Sequence, residues 1–233
     1  MMKDFDLILS NAHIIDPEQG INEIMDIAFR NGKIAALDKG ISVSKEVLVK
    51  NLRGSLVTPG LIDMHTHVYW GGTSLGIDAD SYSNSSAITT LVDTGSVGPG
   101  NFHGFKKHVI EKTRARILIY LHVSHAGIFA FSDKVMFGES EEMRLMDPET
   151  AIEVANANKD IIVGIKVRLG KWTSGSNGIS PLEVALKVGD TCKLPIMVHI
   201  DEPPPTYSEV IKSLRAGDIL THCFRGFLNS PLD

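Results

Sequence analysis

The sequence lacks most of the signals that would set it apart from ordinary globular proteins. Only two cysteines, Cys192 and Cys223, occur in 233 residues, too few for a disulfide framework. Aromatics make up 6% of the chain, yet 43% of residues are hydrophobic and 22% charged, a balance that buries a core and excludes disorder as the dominant state. Positive charge is not in excess: the net charge is −5, and no Lys/Arg run breaks the pattern, which argues against a nucleic-acid partner. Apolar runs are strand-length, far short of a membrane span. The opening residues, Met1-Met2-Lys3-Asp4-Phe5-Asp6, carry no apolar leader stretch. The expectation is a reduced, cytoplasmic protein that engages neither membrane nor nucleic acid.

Two rhythms divide what is present. Residues 1–57 hold short strands and turns. Residues 6–9 and 13–16 read as strands on either side of Asn11, and Asn31-Gly32 between apolar runs is a hairpin signal. Residues 47–49 add another strand, and Pro59-Gly60 marks a boundary. From residue 58 to 233, β-branched apolar runs recur at 61–65, 89–93, 117–123, 161–167, 195–199 and 219–222. Near-continuous apolar strands alternating with helices predict an α/β fold with a parallel sheet. Helices are expected over 102–115 and 206–216, after Asp147-Pro148-Glu149, and after Ser180-Pro181-Leu182-Glu183, whose Ser and Glu have capping-box spacing.

The chemistry-bearing residues gather at strand ends. In Asp63-Met64-His65-Thr66-His67, the two histidines are two apart, so on a strand they share a face and can hold one metal ion together. His199 and His222 end two later strands, and Lys166 lies inside the apolar run Ile165-Lys166-Val167, where a lysine is costly unless paired or modified. In a (β/α) barrel such strand ends build the active site. Other positions stay open at this level. His122 and His125 either line a pocket or pack in the core. Arg168, two residues beyond Lys166, contacts either a substrate carboxylate or a neighbouring loop. Trp70-Gly71-Gly72 suits a lid, a pocket wall or neither. Gly95-Ser96-Val97-Gly98-Pro99-Gly100 reads as a tight loop rather than an anion cradle, and Cys223 as a small packed residue.

Together these segments resemble the amidohydrolase superfamily. The matching stretches are residues 58–67, Gly164-Ile165-Lys166-Val167-Arg168, Met197-Val198-His199-Ile200 and Thr221-His222-Cys223-Phe224. Residues 199–205 and 221–226 are similar to its dihydroorotase-like amidohydrolase/deacetylase group. The resemblance implies a (β/α)8 TIM-type barrel with about six of its eight strands in this chain, preceded by part of a small β-sandwich. It implies two divalent metal ions, zinc first among the candidates. His65 and His67 would hold one and His199 and His222 the other, with Lys166, carboxylated by CO2, bridging both. The implied activity is hydrolysis of amide or ester bonds of small acylated compounds, with cyclic amide hydrolysis as the alternative. His125 and Arg168 are the candidate substrate contacts. The family's general-base Asp at the end of the eighth strand has no counterpart, since Asp233 follows His222 by only eleven positions. The expectation is therefore a C-terminally truncated barrel, either active, with a base supplied by a second copy of the chain in a homo-oligomer, or reduced to a metal-binding fragment.

Overall fold

The computed structural model describes residues 5–42, 46–132, 134–224, 226 and 228–231. Arg225 of the last matching segment and Asp233 lie outside the described residues. The chain separates into two compact units, residues 1–61 and 62–233. Among the described residues no helix is long and apolar enough to cross a membrane.

The first unit is a five-stranded sheet of β1 (Leu7–Asp16), β2 (Ile21–Arg30), β3 (Lys33–Asp38), β4 (Leu48–Asn51) and β5 (Leu56–Val57). Asn31 and Gly32 take φ of +52° and +70°, the double left-handed turn that suits the twist of an antiparallel pair, and they set Arg30 opposite Lys33. The two strands expected around Asn11 are one. β1 runs through with a bulge between Leu9 and Ala12. Asn11 absorbs the extra residue at φ +53°, and its amide donates to Asp26 Oδ1 at 2.9 Å. A bulge keeps both halves on one partner strand where a true turn would have separated them.

The second unit is a partial barrel, a six-stranded sheet with helices in the crossovers. The strands β6 (Leu61–Thr66), β7 (Ile88–Thr94), β8 (Arg116–His122), β9 (Ile162–Leu169), β10 (Ile196–Ile200) and β11 (Ile219–Thr221) lie in sequence order. The pairs from β7 to β11 are parallel. The helices are α1 (Ala79–Ser86), α2 (Phe102–His108), α3 (Pro148–Ala157), α4 (Ser180–Cys192) and α5 (Tyr207–Ser213). The helix expected over 102–115 ends at His108, followed by a single 3-10 turn, Ile110–Lys112.

Asp147 caps α3 as its sequence indicates, accepting from Glu149 N and Thr150 N. Ser180 does not cap α4. The cap position falls on Ile179, whose backbone is already helical, and no side chain closes it. The 3-10 turn Gly175–Asn177 ends at Gly178, which has φ +53°, and Ile179 offers no polar side chain to cap the helix. The complete capping box is at Thr206 and Glu209 on α5, where Thr206 is extended.

Strand β9 shows how the fold sorts its side chains. Ile165, Val167 and Leu169 face the helices in a core shared with Leu121, Leu182, Val188 and Val198. The alternate positions, Lys166 and Arg168, line the opposite face and are equally buried. A strand buried on both faces reads as continuously apolar, and the two cations stand out for that reason. Fully burying one such aliphatic side chain contributes about 1.5–3 kcal/mol. Ile165→Ala is therefore expected to lower the unfolding free energy by about 2–5 kcal/mol, cavity included, as measured by denaturant titration. A loss below 1 kcal/mol would contradict this packing.

Candidate metal centre at the strand ends

His65 is the fifth residue of β6 and His67 follows its last. Their ring centroids are 5.7 Å apart. His222, immediately after β11, lies 4.9 Å from His65 and 4.8 Å from His199, ring to ring. His222 has φ +65°, an uncommon conformation for a residue with a side chain and a frequent mark of functional sites. These four histidines and Lys166 line one cavity of about 290 Å³, together with Leu75, Ile128, Phe131 and Arg168. Among the described residues no three His, Cys, Asp or Glu side chains close into a ready ligand cluster. The arrangement is a lined cavity.

A side-chain hydrogen bond orients the His67 ring, and carboxylates support its neighbours. Ser96 Oγ lies 3.0 Å from His67 Nδ1, which leaves Nε2 as the ring's other ligating atom. Ser96 is itself held by Asp93, which accepts from the amides of Ser96 and Val68 at 2.8 Å each. Burial raises the Asp93 carboxyl, and these amide donors pull against it. Asp63 accepts from the His65 amide at 3.0 Å and from the Tyr82 hydroxyl at 2.8 Å. His199 Nε2 is 3.9 Å from Asp201.

Lys166 is 1% exposed, and its Nζ has no hydrogen-bond partner among the described residues. Burial, then the charge of Arg168, pushes its ammonium down to about 7, against the pull of Glu139 and Asp93. Its stem passes Gly95 so closely that a Cβ there would sit 2.6 Å from Lys166 Cγ, and Gly95 has φ +94°. His65 and His67 are held down to about 3, by burial first and Lys166 next. Both imidazoles are therefore neutral at pH 7, the state that ligates metal. Neutral imidazoles beside a buried amine with no acceptor fit a borderline divalent cation.

The remaining candidates fall elsewhere. His125 does not line the cavity: its amide donates to Leu145 O at 2.7 Å, its carbonyl accepts from Gly100 at 2.9 Å, and its ring fills the space beside Gly100. Gly98 and Gly100 pack against residues 124–125, the tight-loop role. Trp70 is exposed and is not part of the histidine cavity's lining. Cys223 is half-buried. His122 is fully buried, with Nδ1 accepting from Ser124 N at 2.9 Å.

Arg168 does line the cavity, but its fork meets a residue that the sequence does not flag. Nε and Nη2 donate to Glu139 Oε1 and Oε2 at 2.7 and 2.9 Å, and the guanidinium lies 5.0 Å from the Phe131 ring centroid. Glu139 Oε1 is also 3.0 Å from His122 Nε2, without the alignment of a hydrogen bond. Glu139 lies between β8 and α3, in a segment whose loop character predicts an exposed carboxylate. No local signal marks it; only Gly138, packed on the Thr173 backbone, shows why the chain turns inward there.

Against this geometry, the chain is 36% identical over 203 residues to a deacetylase of Brucella anthropi, covering 87% of this chain and 50% of that protein. A solved dihydroorotase superposes with a TM-score of 0.86 at 33% identity, covering 96% of this chain and 59% of the other. The chain belongs to the amidohydrolase superfamily. An adenine deaminase structure in the same superfamily gives 0.83 at 27% identity, over 97% of this chain and 59% of that one. No family model matches. The chain spans about half the length of the curated relatives it matches.

The buried pair has a defined acid response. Burial raises the Glu139 carboxyl, but Arg168 and His122 outweigh it and hold the group at about 2, below its ordinary 4.5. Because the folded value is depressed, its stabilisation is fully present above about pH 4.5 and is lost as pH falls toward 2. Denaturant unfolding between pH 6 and pH 2 is expected to show a shallower acid loss for Glu139→Gln than for the wild type. Equal slopes would contradict the pairing.

Proposed function

We propose that this cavity holds two divalent metal ions, zinc foremost, and hydrolyses amide or ester bonds of small acylated compounds, with deacetylation as the leading reaction. One observation carries the reading: four histidines and a buried, unpartnered lysine from four strands line one cavity at the strand ends. The name of the 36%-identical relative, a deacetylase, supports the reaction class.

Bound there, the metal pair would supply hydroxide near neutral pH and polarise the acyl carbonyl. His65 and His67 would hold one ion, with His67 oriented through Ser96, and His199 and His222 the other. Lys166 would join both as a carbamate. A neutral amine at a buried site can add CO2, forming an N–C bond and releasing one N–H proton to solvent, and the product replaces the amine with an anionic oxygen donor. Leu75, Ile128 and Phe131 keep the rest of the cavity apolar, so bulk water is limited around the reacting carbonyl.

Ring opening of a cyclic amide uses the same groups, and the likeness to a dihydroorotase structure favours it as the second reading. The chain loaded with zinc is expected to carry two ions by elemental analysis and to release acetate from small acetylated esters or amides. Lys166→Ala is expected to lose at least one ion. Its turnover should fall by more than the roughly 10–100-fold typical of losing a supporting residue. Ring opening without acetate release would transfer the assignment to the second reading. Full metal loading with neither reaction would overturn the hydrolase reading.

A further inference from the structure

Beside the histidine cavity is a second recess of about 240 Å³, lined by Phe131, Met136, Trp172, Thr173, Glu202 and Asp201 together with Arg168 and His199. Phe131, Arg168 and His199 belong to both linings, so the two spaces adjoin across the guanidinium. Phe131 and Met136 are bridge partners in a small hairpin, and Trp172 is half-exposed. This is a largely apolar wall, of the kind that receives the organic part of a ligand while a few polar groups fix its orientation.

The charges of that wall are unusual. Arg168, the single Lys or Arg of its lining among the described residues, is spent on Glu139 through two bonds, with its guanidinium over the Phe131 ring. Two carboxylates, Asp201 and Glu202, also line the recess. Asp201 accepts from Trp172 N and Thr173 Oγ1 at 3.2 and 2.9 Å, and Glu202 stands 3.6 Å from Lys171. Glu139 takes the Nε hydrogen and one on Nη2, which leaves both Nη1 hydrogens and the second Nη2 hydrogen as Arg168's remaining donors. An arginine held this way still donates hydrogen bonds, but its charge is cancelled within 3 Å.

We infer that Glu139 is a specificity-determining residue: by neutralising Arg168 it makes the junction of the two spaces accept an uncharged oxygen acceptor beside an apolar group, and reject a carboxylate there. The inference rests on the hydrolase reading for the orientation of the substrate, with its acyl end among the histidines and its apolar group in the recess. The substrate class is then a neutral acylated compound with an aryl or branched alkyl group. The depressed Glu139 carboxyl agrees with a permanently ionised partner.

The test uses two compounds that differ only in this charge, N-acetylphenylalaninamide and N-acetylphenylalanine, titrated calorimetrically into the zinc-loaded chain. The wild type is expected to bind the amide more tightly by roughly tenfold, the scale of one charged hydrogen bond. In Glu139→Gln, which leaves Arg168 with its full charge, that preference should shrink or invert by a similar factor. In the double variant Glu139→Gln with Arg168→Met, the cation goes too, and the amide preference should return. Equal or tighter binding of the carboxylate by the wild type would overturn the inference and requires no variant to fold. So would binding of neither compound, a ratio unmoved by Glu139→Gln, or a ratio that stays inverted in the double variant. Acetate release separates the two readings. The expected binding order with no acetate released from either compound would defeat the hydrolase reading alone. Acetate release with the opposite binding order would defeat only this inference.

Discussion

Two cationic side chains, Lys166 and Arg168, leave the same face of β9 two residues apart and are almost fully buried at the edge of the cavity. Isolated, two such charges would be prohibitive there. The structure resolves the conflict differently for each. Arg168 cannot give up its proton, so a carboxylate is brought to it from the β8–α3 connection, and Glu139 meets it edge to edge. Lys166 can give up its proton, and its surroundings favour that outcome. The connection that delivers Glu139 also carries Ile128, Phe131 and Met136 into the cavity walls. Charge compensation on one strand thereby shapes the mouth of the barrel.

That division explains why some of the site was legible in the sequence and some was not. The strand ends were legible because β-branched runs announce strands and histidines are conspicuous within them. His65, His67, His199 and His222 follow from that reading, and Lys166 from its cost in an apolar run. Arg168 was legible as a same-face neighbour of Lys166, but not its partner. Glu139 belongs to an irregular segment whose path depends on Gly138 meeting the Thr173 backbone, a contact thirty-five positions away along the chain that leaves no periodicity to read. The family resemblance named ligands, and it was silent about the group that tunes the charge beside them.

Local signals in the fold divide in a similar way. Asn31-Gly32 behaves as its dipeptide predicts because the turn is self-contained. Ser180 through Glu183 has the spacing of a capping box and does not form one, because the cap position falls one residue earlier, on Ile179, whose backbone is already helical. Asn11 looks like a break and is a bulge, because β2 pairs with both halves of β1. In each case the deciding influence is the conformation of the chain on either side, which a four-residue pattern does not contain.

Gly95 has a consequence for how this site can vary. The space its missing side chain would occupy is filled by the Lys166 stem, so the two positions share one volume. A larger residue at 95 would expel the lysine, and a shorter residue at 166 would leave a void with nothing local to fill it. A side chain at 95 therefore requires a smaller one at 166. The loop after β7 and the interior of β9 are coupled through that shared volume, although Gly95 and Lys166 lie seventy-one positions apart along the chain.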